Sequence, residues 1–162
     1  PTVAEQESLL LRAKAAGAEF YGVKNNVDPD VYIWHEGNSD GSTQPVATLG
    51  ALTIHGYTFF DLIGNVSEWS SDWSLTGRRE QTSDIVNPAG PGSGNFKIKR
   101  KGNVGAKISA DYATENWIFH SGESPDMRSS VVGMRLVRTV QNNVSSENGL
   151  SRFLRGILGV FK

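Results

Sequence analysis

The fold of this chain is decided by residues 60–73, which read FDLIGNVSEWSSDW. Asp61 and Glu68 supply two carboxylates on either side of Gly64, a residue that lets a backbone loop turn and direct its carbonyl groups inward. Carboxylates combined with backbone carbonyls are the ligands that a calcium ion requires. Trp69 and Trp73 can pack beneath such a loop and hold it rigid. Taken alone, the pattern fits a metal-binding loop and a capped turn beside two core tryptophans about equally well.

Composition limits the classes of protein to which the chain can belong. Its 162 residues suffice for one domain with a buried core, and its 38% hydrophobic and 20% charged residues argue against disorder. The net charge of −1 argues against a general nucleic-acid binder, since that role usually needs a strong basic excess. No apolar run reaches the roughly 18 residues of a membrane-spanning helix. Cysteine is absent, which excludes disulfides, thiolate metal sites and a cysteine nucleophile in this chain.

Local patterns predict one helix followed by loops and short strands. Thr2 and Glu5 have capping-box spacing ahead of an apolar-rich run that stops at Gly17, so we expect a helix over about residues 3–16. Residues 20–50 are rich in Asn, Asp, Gly and Pro, which predicts a long region of ordered loops. Short apolar segments bounded by turn residues predict strands. These segments are residues 58–60, 96–99, 104–108, 117–119 and 132–138.

The C-terminal end of the chain changes character twice. Residues 139–149 are polar and predict a linker, so we assign residues 1–138 to one domain. Residues 150–162 predict an amphipathic helix, because their large apolar side chains recur at helical spacing. Those side chains are Leu150, Phe153, Leu154, Ile157, Leu158 and Phe161. We expect this helix to dock on a partner chain, ahead of packing on its own domain and ahead of contact with a membrane surface.

The order of several motifs resembles one known family, the formylglycine-generating enzymes or sulfatase-modifying factors. Residues 64–69, GNVSEW, are similar to the Gly-Asn-Val-x-Glu-Trp signature of that family. The other matching blocks follow in the family's order along the chain. They are PV at 45–46, NPAGP at 87–91, RKGNV at 100–104, and PD at 125–126 followed by GMRLV at 133–137.

The resemblance implies an α+β fold of the C-type-lectin-like kind, with short strands and long ordered loops. In the family, the signature loop binds calcium through two side chains and two backbone carbonyls. Carried over by position, these ligands fall on Asp61, Gly64, Val66 and Glu68. We therefore expect Ca²⁺ to stabilise this loop.

Two departures from the family pattern bear on function. The resemblance places Ala106 and Asp111 where active members carry their two catalytic cysteines, so the oxidase chemistry is not expected of this chain. The family's first strand also has no match, and a lectin-like core without it would leave an open sheet edge that invites pairing with another chain. We therefore expect a protein partner or a homo-oligomer.

These observations favour a non-catalytic structural or binding module within a multi-chain assembly. Two alternatives stay open: a substrate-binding subunit whose catalytic groups lie on another chain, and a lectin-like protein that recognises a ligand. Lys97, Lys99 and Lys101 would share one face of a strand. For that face, a solvated surface is favoured over a site for an anionic ligand.

Overall fold

The computed structural model describes residues 1–15, 28–54, 56–77, 90–107 and 120–137. Three predictions concern positions outside these residues: the strand at 117–119, the linker at 139–149 and the amphipathic helix at 150–162. Asp111 lies outside them as well. The described residues form one α-helix, short strands and long connecting loops, which confirms the α+β class.

The helix α1 spans Val3–Ala15 and begins as its sequence predicts. The Thr2 hydroxyl accepts a hydrogen bond from the Glu5 amide at 3.1 Å, and the Glu5 carboxylate accepts one from the Thr2 amide at 2.8 Å. This reciprocal pair is a capping box, which satisfies amide groups that have no partner inside the helix. The amide of Val3 also donates to the buried carboxylate of Asp72 at 2.8 Å. The first turn of α1 is thereby tied to the sheet.

The strands form two sheets. In the smaller sheet, β1 (Leu52–Ile54) pairs with β2 (Tyr57–Phe59) in antiparallel orientation. The larger sheet has the order β5-β4-β3-β6. Its strands are β3 (Ser67–Ser74), β4 (Phe96–Arg100), β5 (His120–Glu123) and β6 (Val132–Met134). The central strand β3 runs antiparallel to β4 and parallel to β6. Among the described strands, β6 therefore has a neighbour on one side only.

The structure corrects the loop interpretation of residues 60–73. Only their first half is a loop, because the second half is β3, the longest described strand at 8 residues. Its buried positions include Glu68, Ser70, Asp72 and Ser74, all of them polar. Sequence patterns identify a half-buried strand by apolar residues at every second position. In β3 the buried positions are occupied by polar residues, so the pattern is absent. Their hydrogen bonds to other segments make this burial possible, as when the Ser70 hydroxyl donates to the Ile98 carbonyl at 3.0 Å.

Three of the predicted strands are confirmed, since 58–60, 96–99 and 132–138 overlap β2, β4 and β6, with the ends shifted. The prediction at 104–108 is wrong for its described residues, which form a turn in which the Ala106 amide donates to the Asn103 carbonyl at 2.9 Å. Strand β1 is too short, at 3 residues, to show a periodic pattern.

The core lies between α1 and the two sheets. Its buried apolar side chains include Leu9, Leu10, Ile33, Ile54, Phe59, Ile63, Ile98 and Val104. No helix in the described ranges is both long and apolar enough to cross a bilayer.

Candidate functional site

The first half of the signature is a tight loop that leads into β3. Asp61, Gly64 and Asn65 have φ angles of 47°, 81° and 58°, in the left-handed region that glycine and asparagine tolerate best. A Cβ atom on Gly64 would lie 2.4 Å from the carbonyl oxygen of Trp34, so this position also needs glycine for space. The loop therefore depends on a glycine for two separate reasons.

Asn65 holds this loop against the preceding one. Its side-chain oxygen accepts from the Gln44 amide and its side-chain nitrogen donates to the Gln44 carbonyl, both at 2.9 Å. Its backbone amide donates to the Trp34 carbonyl at 2.9 Å, and its carbonyl accepts from the Val104 amide at 3.0 Å. Asn65 was not among the predicted site residues, although its place after a glycine in the signature was a usable signal. It fixes three segments relative to one another.

Glu68 lies at the centre of a buried ion cluster. One carboxylate oxygen accepts from Arg100 Nη2 at 2.9 Å, and the other accepts from Arg135 Nη2 at 2.9 Å. Arg135 Nε approaches the first oxygen at 3.4 Å. All three side chains are nearly removed from solvent, with side-chain exposures of 7% for Glu68, 4% for Arg100 and 7% for Arg135. Charged groups buried to this extent are stable only when paired and hydrogen-bonded.

The environment of Glu68 sets its charge state. Burial by itself raises the pKa of its carboxyl group, but the charges of Arg100 and Arg135 and their hydrogen bonds act in the opposite direction. Together these attractions prevail, so the pKa of Glu68 lies below its ordinary value of 4.5. The carboxylate is therefore ionised at neutral pH, and it is paired with two guanidinium groups.

The predicted calcium ligands do not form a calcium-binding set in this arrangement. The Glu68 carboxylate is occupied by two guanidinium groups, and Arg135 Nη2 also donates to the Asp61 carbonyl at 2.7 Å. The Asp61 carboxylate accepts from the Ala47 amide at 2.7 Å. Gly64 is buried in the loop and Val66 is half-buried beside it. A divalent cation placed here would lie against two positive side chains, so the donor set does not fit one.

Across the described ranges, no cluster of three or more His, Cys, Asp or Glu side chains is arranged to hold a metal ion. Arg135 instead supplies the positive charge at this point of the loop. Its Nη2 is bonded to the Phe60 and Asp61 carbonyls and to the Glu68 carboxylate. The cluster thus ties the signature loop, β4 and the segment after β6 together, and its geometry defines a structural centre.

A second site is an open cavity of ≈ 280 Å³ beside β4 and β5. The cavity is lined by Lys99 of β4, by Glu123 of β5, and by Lys101, Asn103 and Ala106 in the segment that follows β4. Lys99 Nζ lies 3.4 Å from Glu123 Oε1. Ala106 is the residue that the resemblance places at the first catalytic cysteine. The cavity therefore has a methyl group at that position and ammonium groups beside it.

Lys97 and Lys99 alternate with the buried Ile98 and Arg100 on β4, as the predicted shared face requires, but the two lysines make different contacts. Lys97 lies over the ring of Trp73, with Nζ 4.3 Å from the ring centroid, and it donates to the Ser71 carbonyl at 2.7 Å. Lys99 and Lys101 both line the cavity. On the neighbouring strand β3, Trp69 pairs with Lys99 and Trp73 pairs with Lys97, with an irregular register between the two tryptophans.

The described residues thus define an α+β domain whose central polar strand is held by a buried Glu–Arg cluster. The sequence model of the sulfatase-modifying factor enzyme 1-like domain matches residues 1–140. The chain belongs to this family.

Two curated relatives are formylglycine-generating enzymes. The chain is 32% identical over 92 residues to that of Mus musculus and 30% identical over 89 residues to that of Bos taurus. These matches cover 57% and 55% of the chain but only 24% and 23% of the relatives, so the chain spans about a quarter of their length. A similar solved structure is the Treponema denticola variable protein 1, with a TM-score of 0.50 and 28% identity. That match covers 70% of the chain and 38% of the solved protein.

Proposed function

We propose that this chain is a non-catalytic structural or binding module that works within a multi-chain assembly. The observation that carries the proposal is Ala106, which lines the cavity at the position of the family's first cysteine. The chain contains no cysteine at any position, so it cannot supply a thiolate nucleophile or thiolate metal ligands. The scaffold around the cavity is nevertheless held by the buried Glu68 cluster. A retained scaffold with an altered reactive position is typical of a protein that binds without turnover.

The module has a C-type-lectin-like architecture under this proposal. Its support, within the described ranges, is the combination of one helix, two sheets and the long ordered stretch from Asp28 to Gly50, whose only helical element is the 3-10 turn at Pro29–Val31. The similarity to the Treponema denticola variable protein 1 is in keeping with this architecture. Such a fold presents loops for recognition on a rigid base.

Assembly is supported by the free side of β6. Within the described strands, β6 pairs with β3 and has no second neighbour. The exposed fraction is 69% for Met134, 56% for Leu136 and 39% for Val137. An edge strand with unpaired backbone groups and adjacent exposed apolar side chains is a template for association. We propose a second protein chain, either a copy of this one or a different subunit, as the partner at this edge.

Light scattering coupled to size-exclusion chromatography tests the assembly. We expect the wild-type chain to form an oligomer or to require a co-expressed partner, and Met134→Lys to weaken that association. Val46→Lys is the matched control, because Val46 has the same 69% exposure but lies in the loop before β1. The proposal is contradicted if the wild-type chain stays a folded monomer at high concentration, both alone and when co-expressed with candidate partner proteins.

Absence of turnover is tested separately. Purified chain is incubated with copper and a cysteine-containing peptide, and the peptide is analysed by mass spectrometry for conversion of cysteine to formylglycine. We expect no conversion by the chain alone. Conversion that appears only with a co-purified subunit would favour the second candidate, a substrate-binding subunit whose catalytic groups lie on another chain. The cavity beside Lys99 is the observation that favours this candidate.

A further inference from the structure

We infer that the cavity beside β4 and β5 binds a ligand group that carries one oxyanion, such as a carboxylate, on a body about the size of an amino acid. This inference deepens the binding role proposed above and rests on it. It concerns side chains that the family resemblance does not assign: Lys99 and Lys101 as the charges that hold the anion, and Glu123 as the group that it displaces.

The charges that line the cavity favour an anion. Among the described residues that line it are two ammonium groups, those of Lys99 and Lys101, and one carboxylate, that of Glu123, so this part of the lining has one positive charge in excess. Lys101 is exposed and makes no ion pair within the described part of the chain. A ligand with a single negative charge would balance the cavity, and a cation would be repelled from it.

Lys99 is the strongest argument, because its charge is half-buried and weakly paired. Its side chain is 14% exposed, and its ion-pair partner Glu123 is 35% exposed. The separation of 3.4 Å exceeds the roughly 2.7–2.9 Å of a strong charge-assisted hydrogen bond. Ser121 shares the same carboxylate oxygen at 3.4 Å. An ammonium group that is partly removed from water gains from a close anion, so a ligand oxyanion can compete with Glu123 for Lys99.

Asn103, which also lines the cavity, is held by hydrogen bonds to its neighbours. The Asn103 side-chain oxygen accepts from the Gly105 amide at 2.9 Å, which orients its amide nitrogen toward Ser67 at a distance of 3.5 Å. This long contact leaves a hydrogen-bond donor available to a ligand. Because the Val104 amide donates to the Asn65 carbonyl, the turn is anchored to the signature loop. A preorganised wall reduces the entropy lost when a ligand binds.

The size of the cavity limits the ligand. Its volume of ≈ 280 Å³ is far above the roughly 10–15 Å³ that admits a single water molecule. An amino-acid-sized group fits this space, whereas larger ligands would have to extend into solvent through the open side. The chemistry that the site recognises is therefore a local oxyanion with a short polar or apolar body. A free small molecule and an acidic side chain of a larger ligand both present that chemistry.

Nuclear magnetic resonance of the isotopically labelled full chain tests the inference. The probes are acetate, glutamate, sulfate and inorganic phosphate, with glutaminamide, which carries no carboxylate, as the probe without an oxyanion. We expect glutamate to shift the amide signals of Gly102, Gly105 and Ser121 in a saturable way, and added salt to weaken binding. Acetate, sulfate and phosphate then show which oxyanion is preferred. An acidic peptide and its amidated form separate a side-chain ligand from a free small molecule.

Variants identify the residues responsible. Lys101→Gln should weaken glutamate binding about tenfold, the effect of one hydrogen bond to a charged group, and its exposed position should leave the fold intact. Lys99→Gln should weaken binding as well, whereas Glu123→Gln should strengthen it because the competing carboxylate is removed. Arg128→Gln is the matched control, since it removes one positive charge from an exposed residue that does not line the cavity. Equal losses in Lys101→Gln and Arg128→Gln would overturn the inference.

The outcomes separate this inference from the proposed function. If no anion shifts the three amide signals while light scattering still shows an assembly, the anion site is refuted and the structural module stands. If the chain converts a cysteine peptide by itself, the non-catalytic role is refuted regardless of anion binding. Binding of glutamate that is independent of salt and of Lys101 would also overturn the anion site.

Discussion

Glu68 and Arg135 are bonded through two guanidinium nitrogens, although 67 positions separate them in the chain. Arg135 Nη2 lies 2.9 Å from one carboxylate oxygen and Nε lies 3.4 Å from the other. The pair joins the start of the central strand β3 to the residue that follows β6, and Arg100 completes it from β4. Three strands are thereby fixed in register by one buried carboxylate. The stability of the sheet should depend on it.

Replacing Glu68 by glutamine should destabilise the chain strongly. Glu68→Gln leaves two buried guanidinium groups without their counter-ion, and breaking a buried pair in this way typically costs about 3–5 kcal/mol. The free energy of unfolding is measured in urea. Glu36→Gln is the control, because Glu36 is exposed and its amide replacement should change stability by less than about 0.5 kcal/mol. Comparable losses in both variants would show that the cluster is not a centre of stability.

Acidification should remove the contribution of Glu68 to stability. Its pKa is lower in the folded chain than the ordinary value of 4.5, so the unfolded chain binds the proton more readily. The contribution is therefore fully present above about pH 4.5 and declines as the pH falls toward the folded-state pKa. Unfolding free energies measured across this range should fall more steeply for the wild type than for Glu68→Gln. Parallel curves for the two proteins would assign the acid sensitivity to other carboxylates.

Calcium and its removal should leave the melting temperature unchanged. The signature resemblance predicts calcium at Asp61, Gly64, Val66 and Glu68, and a bound cation would stabilise the native state by mass action. The guanidinium groups around Glu68 already pair with its carboxylate, so the structure predicts that calcium does not change the melting temperature. Thermal melts with excess chelator and with millimolar calcium distinguish the two. A rise in melting temperature with calcium, abolished by Asp61→Ala, would establish the metal site and refute the geometric argument.

Gly64→Ala should cost more than Gly56→Ala. Both glycines have a φ of 81°, so each alanine pays about 1–2 kcal/mol for the left-handed conformation. At Gly56 an added Cβ meets nothing within 4 Å, whereas at Gly64 it would lie 2.4 Å from the Trp34 carbonyl oxygen and 2.7 Å from Ile33 Cγ2. The additional loss at Gly64, by about 1 kcal/mol or more, is the steric part. Equal unfolding free energies for the two variants would contradict this close approach of the two loops.

Some features could be predicted from local sequence because the forces that produce them are local. The capping box of Thr2 and Glu5 is a contact across three positions, and it forms as the spacing predicts. The apolar segments that became β2, β4 and β6 stand out against the polar residues that flank them. Family membership also follows from the order of short motifs, of which GNVSEW is the most specific.

The identity of β3 as the central strand could not be predicted in the same way. Its buried positions carry Glu68, Ser70 and Asp72, which a hydrophobicity pattern assigns to the surface. These side chains are buried because their partners arrive from other segments: Arg100 and Arg135 for Glu68, and the first turn of α1 for Asp72. These hydrogen-bond partners are brought next to β3 only when the chain has folded.

The signature at residues 60–73 shows both sides of this division. The sequence by itself determined that the chain belongs to its family, that it contains no thiol and that a glycine-dependent turn leads into a tryptophan-bearing segment. Only the tertiary structure decided that Glu68 binds two arginines and that Ala106 lines an open cavity with Lys99 and Lys101. The physical reason is that charge pairing and cavity shape depend on distances between residues far apart in the chain. Local spacing cannot report those distances, because the same acidic residue suits a metal ion or a guanidinium group equally well until its neighbours are in place.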